Sequence, residues 1–143
     1  MPLPCIVKPR RGQGSKGVHL CTSRDELIAI AGRQPDAVLQ QALEPADEEI
    51  TCGVYRTMDG RVGVVALRRE LAGGSTVFAE VIDDPAVDDQ CSALASGLDL
   101  VGSMNVQLIR TATGPRIFEI NPRFSSTVAM RDLLGFTDVK WAL

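Results

Sequence analysis

Two β-type runs, Val101 to Arg110 and Pro115 to Ile120, are joined through Ala112-Thr113-Gly114, a connection too short for a crossover. The runs therefore read as an antiparallel hairpin whose three-residue loop ends on glycine. With that loop Thr111 pairs with Pro115, and counting back sets Gln107 opposite Glu119 and Asn105 opposite Asn121. Side chains alternate across a strand, so Glu119 and Asn121 point the same way, with Arg123 just beyond Pro122. Oxygen donors cluster on one face. The same residue types also suit the solvent face of an antiparallel sheet, so the hairpin alone leaves both readings open.

The rest of the chain fits one small α+β unit. Glu49 to Thr57 faces Arg61 to Glu70 across Asp59-Gly60, a dipeptide suited to a type I′ turn. Cys5 to Val7, Val18 to Cys21 and Ala37 to Leu43 have strand character, and Ser23 with Glu26 forms a capping box for a short helix ending near Gly32. Asp84-Pro85 supplies an N-cap and an N1 proline ahead of Val87, Cys91, Leu94, Ala95 and Leu98, which line one helical face. Ser125 or Ser126 caps a last helix that stops near Gly135, and Thr137 to Leu143 begins an element the chain does not finish. The internal hinge falls at Gln40 to Glu44. At 143 residues there is material for a real core but not for two full-sized domains.

Composition removes several function classes. Apolar residues at 45% and charged residues at 23% argue against a disordered chain. A balance of 15 Lys+Arg against 18 Asp+Glu, net −3, leaves no general basic field for nucleic acid or an anionic membrane, so any anion site is local. Cys5, Cys21, Cys52 and Cys91 form no C-x-x-C pair, and His19 is the only histidine, which excludes zinc spacing and favours buried, reduced thiols. No signal-peptide pattern or membrane-length apolar run is present, and a soluble cytoplasmic protein is expected.

Gly12-Gln13-Gly14-Ser15-Lys16-Gly17 matches the G-x-G-x-x-G dinucleotide pattern in letters only, because Val18 to Cys21 is strand-like where a helix should begin. A Walker A loop also fails. What remains is a flexible loop between strands whose backbone N–H groups can approach phosphate oxygens, with Arg10, Arg11 and Lys16 as local positive charge. An exposed, solvated hairpin loop is the alternative. On the hairpin side, one carboxylate with neutral amide oxygens is a poor magnesium cage alone but suffices when nucleotide phosphates complete the shell.

In their joint order these segments resemble the ATP-grasp ligases, most closely the ATP-grasp domains of the carbamoyl-phosphate synthetase large-subunit type. Val7-Lys8-Pro9 with the glycine-rich loop is similar to that family's lysine strand and phosphate loop, and Gln107 with Phe118-Glu119-Ile120-Asn121-Pro122-Arg123-Phe124-Ser125 resembles its metal-binding hairpin. Gln40-Gln41-Ala42-Leu43 and Glu49-Ile50-Thr51 resemble the adenine hinge and the ribose contact. The resemblance implies that Lys8 contacts the nucleotide, that Gln41 and Leu43 line the adenine pocket, and that Glu49 accepts from ribose hydroxyls. Gly14, Ser15, Lys16 and Gly17 would cover the phosphates, Gln107, Glu119 and Asn121 would hold magnesium or manganese, and Arg123 would neutralise the transferred phosphoryl group. Arg68 or Arg69 would add a second basic contact.

The implied architecture is an α+β ATP-grasp core, with 5–43 as a small nucleotide-clamping lobe and hinge and 44–143 as a larger lobe, ATP sitting between them. The implied activity is ATP-dependent ligation of a carboxylate to an amine or similar nucleophile through an acyl phosphate. The Rossmann-like region that usually precedes the lysine strand would have to come from a longer protein, so the chain alone is expected to be incomplete for turnover. A non-catalytic nucleotide-binding module, or an inactive fragment, is the alternative reading. The expected partners are ATP, an unidentified carboxylate or amine substrate and a second copy paired through exposed sheet.

Overall fold

The computed structural model describes the backbone of residues 2–12, 14–45, 48–72 and 75–143, and the side chains of all of these but Leu71 and Ser75. Gln13 of the glycine-rich loop lies outside the described residues. The chain divides into two compact units, Met1–Leu43 and Glu44–Leu143.

In the first unit, β1 (Cys5–Pro9), β2 (His19–Cys21), α1 (Arg24–Ala31) and β3 (Ala37–Gln41) follow in chain order. β1 lies between β2 and β3 and runs antiparallel to both. Cys5, Val7 and Cys21 are fully buried against Leu27 and Ile30 of α1. Alternation then turns Ile6, Lys8, Leu20, Val38 and Gln40 to the opposite face. Helix α1 begins with the reciprocal box read from the sequence: the Glu26 N–H donates to Ser23 Oγ at 3.3 Å and the Ser23 N–H to Glu26 Oε2 at 3.3 Å. Glu26 Oε2 also accepts from the Thr22 N–H at 2.8 Å and the Thr22 hydroxyl at 3.0 Å. These bonds, led by the one from the Thr22 N–H, hold the Glu26 carboxyl below the ordinary glutamate value.

The second unit comprises β4 (Glu49–Arg56), β5 (Val62–Ala72), β6 (Ser75–Ile82), α2 (Pro85–Gly97), β7 (Gly102–Thr111), β8 (Gly114–Asn121), α3 (Val128–Leu133) and α4 (Asp138–Trp141). The strands form one antiparallel sheet in the order β6-β5-β4-β7-β8. Asp84 caps α2, its Oδ1 accepting from the Ala86 N–H at 3.1 Å, and Pro85 takes the first helical position. Val87, Cys91 and Ala95 of α2 pack on Ile50, Cys52, Val54, Ala66, Met104, Val106 and Leu108, which makes one face of the sheet the hydrophobic core. Leu94 joins this core partly buried, whereas Leu98, at the end of the expected stripe, is exposed at the helix C-cap. All four cysteines are buried free thiols, and the Cys91 thiol together with burial pushes Cys52 far above the ordinary value. Strand β6 was not foreseen in the sequence.

Both hairpin turns differ from the sequence reading. Arg56 pairs with Val62, the Thr57 N–H donates to Arg61 O at 2.9 Å, and the Gly60 N–H donates to Thr57 O at 3.0 Å. The loop is therefore Met58-Asp59-Gly60. Gly60 has φ +86° but Asp59 stays out of the left-handed region, so the type I′ turn is replaced by a three-residue loop with glycine last. At the other hairpin Thr111 pairs with Gly114, which shortens the loop to Ala112-Thr113. The register then shifts, with Leu108 opposite Ile117 and Gln107 opposite Glu119, and Phe118 becomes the extra residue of a β-bulge. Loop and bulge cancel, so Gln107 faces Glu119 and Asn105 faces Asn121.

The capping box of α1 generates a test of local stability. Ser23→Ala should lower the opening free energy of the α1 amides by about 1 kcal/mol, read by native-state hydrogen exchange. Unchanged protection would contradict the cap's contribution.

Candidate functional site

The face of the five-stranded sheet opposite α2 carries the polar side chains. Directly paired residues share a face, which places Glu49, Thr51 and Gly53 of β4 beside Asn105 and Gln107 of β7 and Glu119 and Asn121 of β8. Thr51 and Asn105 are buried, and Asn105 Nδ2 donates to Thr51 Oγ1 at 2.7 Å and to Cys52 O at 3.1 Å. Gln107 is half-buried and Glu119 exposed, with Asn121 Nδ2 donating to Glu119 Oε1 at 2.7 Å. The set is thus one carboxylate flanked by two amide side chains.

Adjacent arginines on β5 go opposite ways. Arg68 lies on the α2 side and pairs with Glu80 of β6. Arg69 is on the polar face and pairs with Glu49, its Nε donating to Oε1 at 3.0 Å and its NH2 to the same oxygen. The sequence pointed to either residue, and alternation selects Arg69 as the one on the site face.

The chain beyond β8 is held from beneath. Helix α3 begins after Thr127 without a side-chain cap bond, which corrects the expectation of a cap at Ser125 or Ser126. Ser125 Oγ instead accepts from the Thr127 N–H at 3.3 Å, in the turn ahead of the helix, and from Arg131 NH1 at 2.6 Å. Arg131 is fully buried, and its NH2 donates to the buried Asp138 Oδ2 at 2.6 Å. The Ser103 hydroxyl donates to the same oxygen at 2.7 Å. Burial pulls the Arg131 guanidinium below its ordinary value and the Asp138 carboxylate opposes that shift. The guanidinium lies over Gly53, where a Cβ would come within 2.6 Å of Arg131 Nε. The Tyr55 hydroxyl donates to Trp141 O at 2.6 Å, and Trp141 packs edge-on against Tyr55 and Phe136. Arg123, two residues before Ser125, is exposed, its NH1 donating to Phe124 O at 3.0 Å.

In the first unit, Lys8 shares the sheet face of Ile6, Leu20, Val38 and Gln40, whereas register sets Gln41 with Cys5 on the other face. Leu43 is half-buried just beyond β3. The glycine-rich loop carries consecutive left-handed positions, Gly14 at φ +60° and Ser15 at φ +58°, followed by Gly17 at φ +74°. At Gly17 a Cβ would meet Pro9 Cγ at 3.0 Å, so both conformation and space require glycine there. Lys16 is exposed on this loop. Sequence reasoning placed Asn105 on the polar face, opposite Asn121, and missed Thr51 and Arg131 as members of it. A buried arginine could have been suspected only from Gly53, which stands in the middle of an apolar strand.

The family described as "ATP-grasp in the biosynthetic pathway with Ter operon" matches residues 33–143. A D-alanine--D-alanine ligase from Mycolicibacterium vanbaalenii is 32% identical over 90% of this chain and 42% of its own length. A probable alpha-L-glutamate ligase from Xylella fastidiosa is 31% identical over 85% of this chain and 43% of its own length. The biotin carboxylase of Campylobacter jejuni, solved as a β,γ-ATP complex, superposes with a TM-score of 0.76 at 14% identity, covering 98% of this chain and 36% of that one. The chain thus spans less than half the length of these relatives. Among the described residues no helix is long and apolar enough to cross a membrane.

The packing of Arg131 over β4 makes a direct prediction. Gly53→Ala forces the guanidinium to move in a filled site, which should cost about 1–3 kcal/mol in urea unfolding. A wild-type midpoint would contradict the close approach.

Proposed function

This chain belongs to the ATP-grasp family of ligases and has its α+β fold, and from that premise we propose that it is the ATP- and magnesium-binding core of a carboxylate–amine ligase. The observation that supports this reading most is the polar sheet face, where Glu49, Gln107, Glu119 and Asn121 converge from three strands on the side away from the core. The buried Asn105–Thr51 bond on the same face supports a built site over a merely solvated surface.

The donor set suits a hard divalent cation. Gln107, Glu119 and Asn121 offer oxygen ligands, and among the described residues no cluster of three His, Cys, Asp or Glu side chains forms a cage by itself. A magnesium or manganese ion held by these residues would depend on phosphate oxygens for the rest of its shell. Bound there, the cation would supply charge neutralisation to the phosphoryl group. Arg123 would add a mobile cation for the same charge, because it is exposed and bonded only to a neighbouring carbonyl in what the structure describes. Lys8 would contact the nucleotide, and Gly14, Ser15, Lys16 and Gly17 would lend backbone N–H groups and charge to the phosphates. The left-handed conformations of Gly14, Ser15 and Gly17 support this, since such turns point backbone amides to one side. Gln41 and Leu43 would border the adenine, and Glu49 would accept from the ribose hydroxyls. The reaction would be attack of a substrate carboxylate on the γ-phosphate, giving an acyl phosphate that an amine or similar nucleophile then captures.

Thermal unfolding with and without Mg-ATP tests the proposal. A ligand at 100 times its dissociation constant adds about 2.7 kcal/mol, so the midpoint should rise with nucleotide and rise further with magnesium. Glu119→Gln should leave the unliganded stability within about 0.5 kcal/mol and remove the magnesium-dependent part. Equal Mg-ATP titrations for the two proteins would contradict the metal assignment, and no shift for the wild type would contradict nucleotide binding.

A further inference from the structure

Resting on the assignment of Glu49 to the ribose, we propose that Arg69 is a positioning residue that sets the protein's preference for nucleotides with ribose hydroxyls. Both Arg69 donors end on Glu49 Oε1. The side chains are only 11% and 22% exposed, so solvent does little to loosen the pair. The terminal torsion of a free glutamate is broad, and a diol would have to order it on binding. With Oε1 filled by the fork of Arg69, Oε2 is presented in a fixed direction, and that ordering is done before the ligand arrives.

Arg68 is a built-in control. It sits one residue away, on the opposite face, paired with Glu80 in a far more exposed ion pair of 54% and 49%. A general effect of lost positive charge on β5 would appear equally at both positions, whereas an effect routed through Glu49 appears only at Arg69.

The experiment compares dissociation constants for Mg-ATP and Mg-2′,3′-dideoxy-ATP by calorimetry in the wild type, Arg69→Met, Arg69→Lys and Arg68→Met. The wild type should prefer ATP by about tenfold or more, the scale of a hydrogen bond to a charged acceptor. Arg69→Met should bring the two constants within about twofold of each other, with the dideoxy nucleotide bound about as in the wild type. Arg69→Lys should restore part of the preference, and Arg68→Met should keep all of it. Should Arg69→Met fail to fold, Arg69→Lys decides, since its single-point donor must give a preference below that of the wild type. An Arg69→Met protein that keeps the preference, or that loses affinity for both nucleotides alike, overturns the inference. A wild type that binds both nucleotides equally overturns it while nucleotide binding stands. A wild type that binds neither contradicts the underlying functional reading, and this inference with it.

Discussion

A single inserted residue, Phe118, decides which side of the sheet Glu119 occupies. Strand side chains alternate with a period of two, so the pairing set by the short Ala112-Thr113 turn would, if continued, put Glu119 on the face that packs against α2. The bulge between Ile117 and Glu119 shifts the register by one and brings Glu119 and Asn121 round to Gln107 and Asn105. The assignment of Glu119 and Asn121 to the site face depends on that shift.

The two faces of the sheet then diverge in chemistry. One is closed by α2 with Val87, Cys91 and Ala95 on an apolar surface, and the stability of the unit resides there. The other is polar over β4, β7 and β8 and partly closed by the segment after β8. Its closure rests on the buried Arg131–Asp138 pair, which ties Ser125 to the sheet where Gly53 leaves room. Removing one partner of such a pair leaves an uncompensated buried charge, so the arrangement holds together or fails as a whole. The strand end bearing Asn121 and the Arg123 segment therefore start from a fixed anchor while Arg123 itself remains exposed.

Local signals were legible in the sequence where one stretch of chain contains all of the physics. The Ser23–Glu26 box and the Asp84-Pro85 start of α2 fall within a single turn, and both stand in the structure. The Gln107–Glu119 pairing was reached through a loop one residue too long, offset by a bulge that no pattern in Ile117-Phe118-Glu119 announces. Strand β6 was missed because its Val77, Phe78 and Val81 lie on an exposed edge without clean alternation. Arg131 was invisible for another reason: an arginine on a short helix reads as solvated, and the groups that allow its burial, Gly53 and Asp138, come from separate elements. The site was legible as residues in order. Its geometry came from long-range pairing.

Paramagnetic relaxation by Mn2+ in an amide-resolved NMR spectrum tests the central claim most directly, because it locates a bound cation without relying on turnover. With ATP present, substoichiometric Mn2+ should broaden the amides of Gln107, Glu119 and Asn121 most strongly, and far less so without nucleotide. Broadening centred instead on the acidic start of α2, at Asp84 and Asp88, or independent of ATP, would contradict a nucleotide-dependent metal site on the polar face.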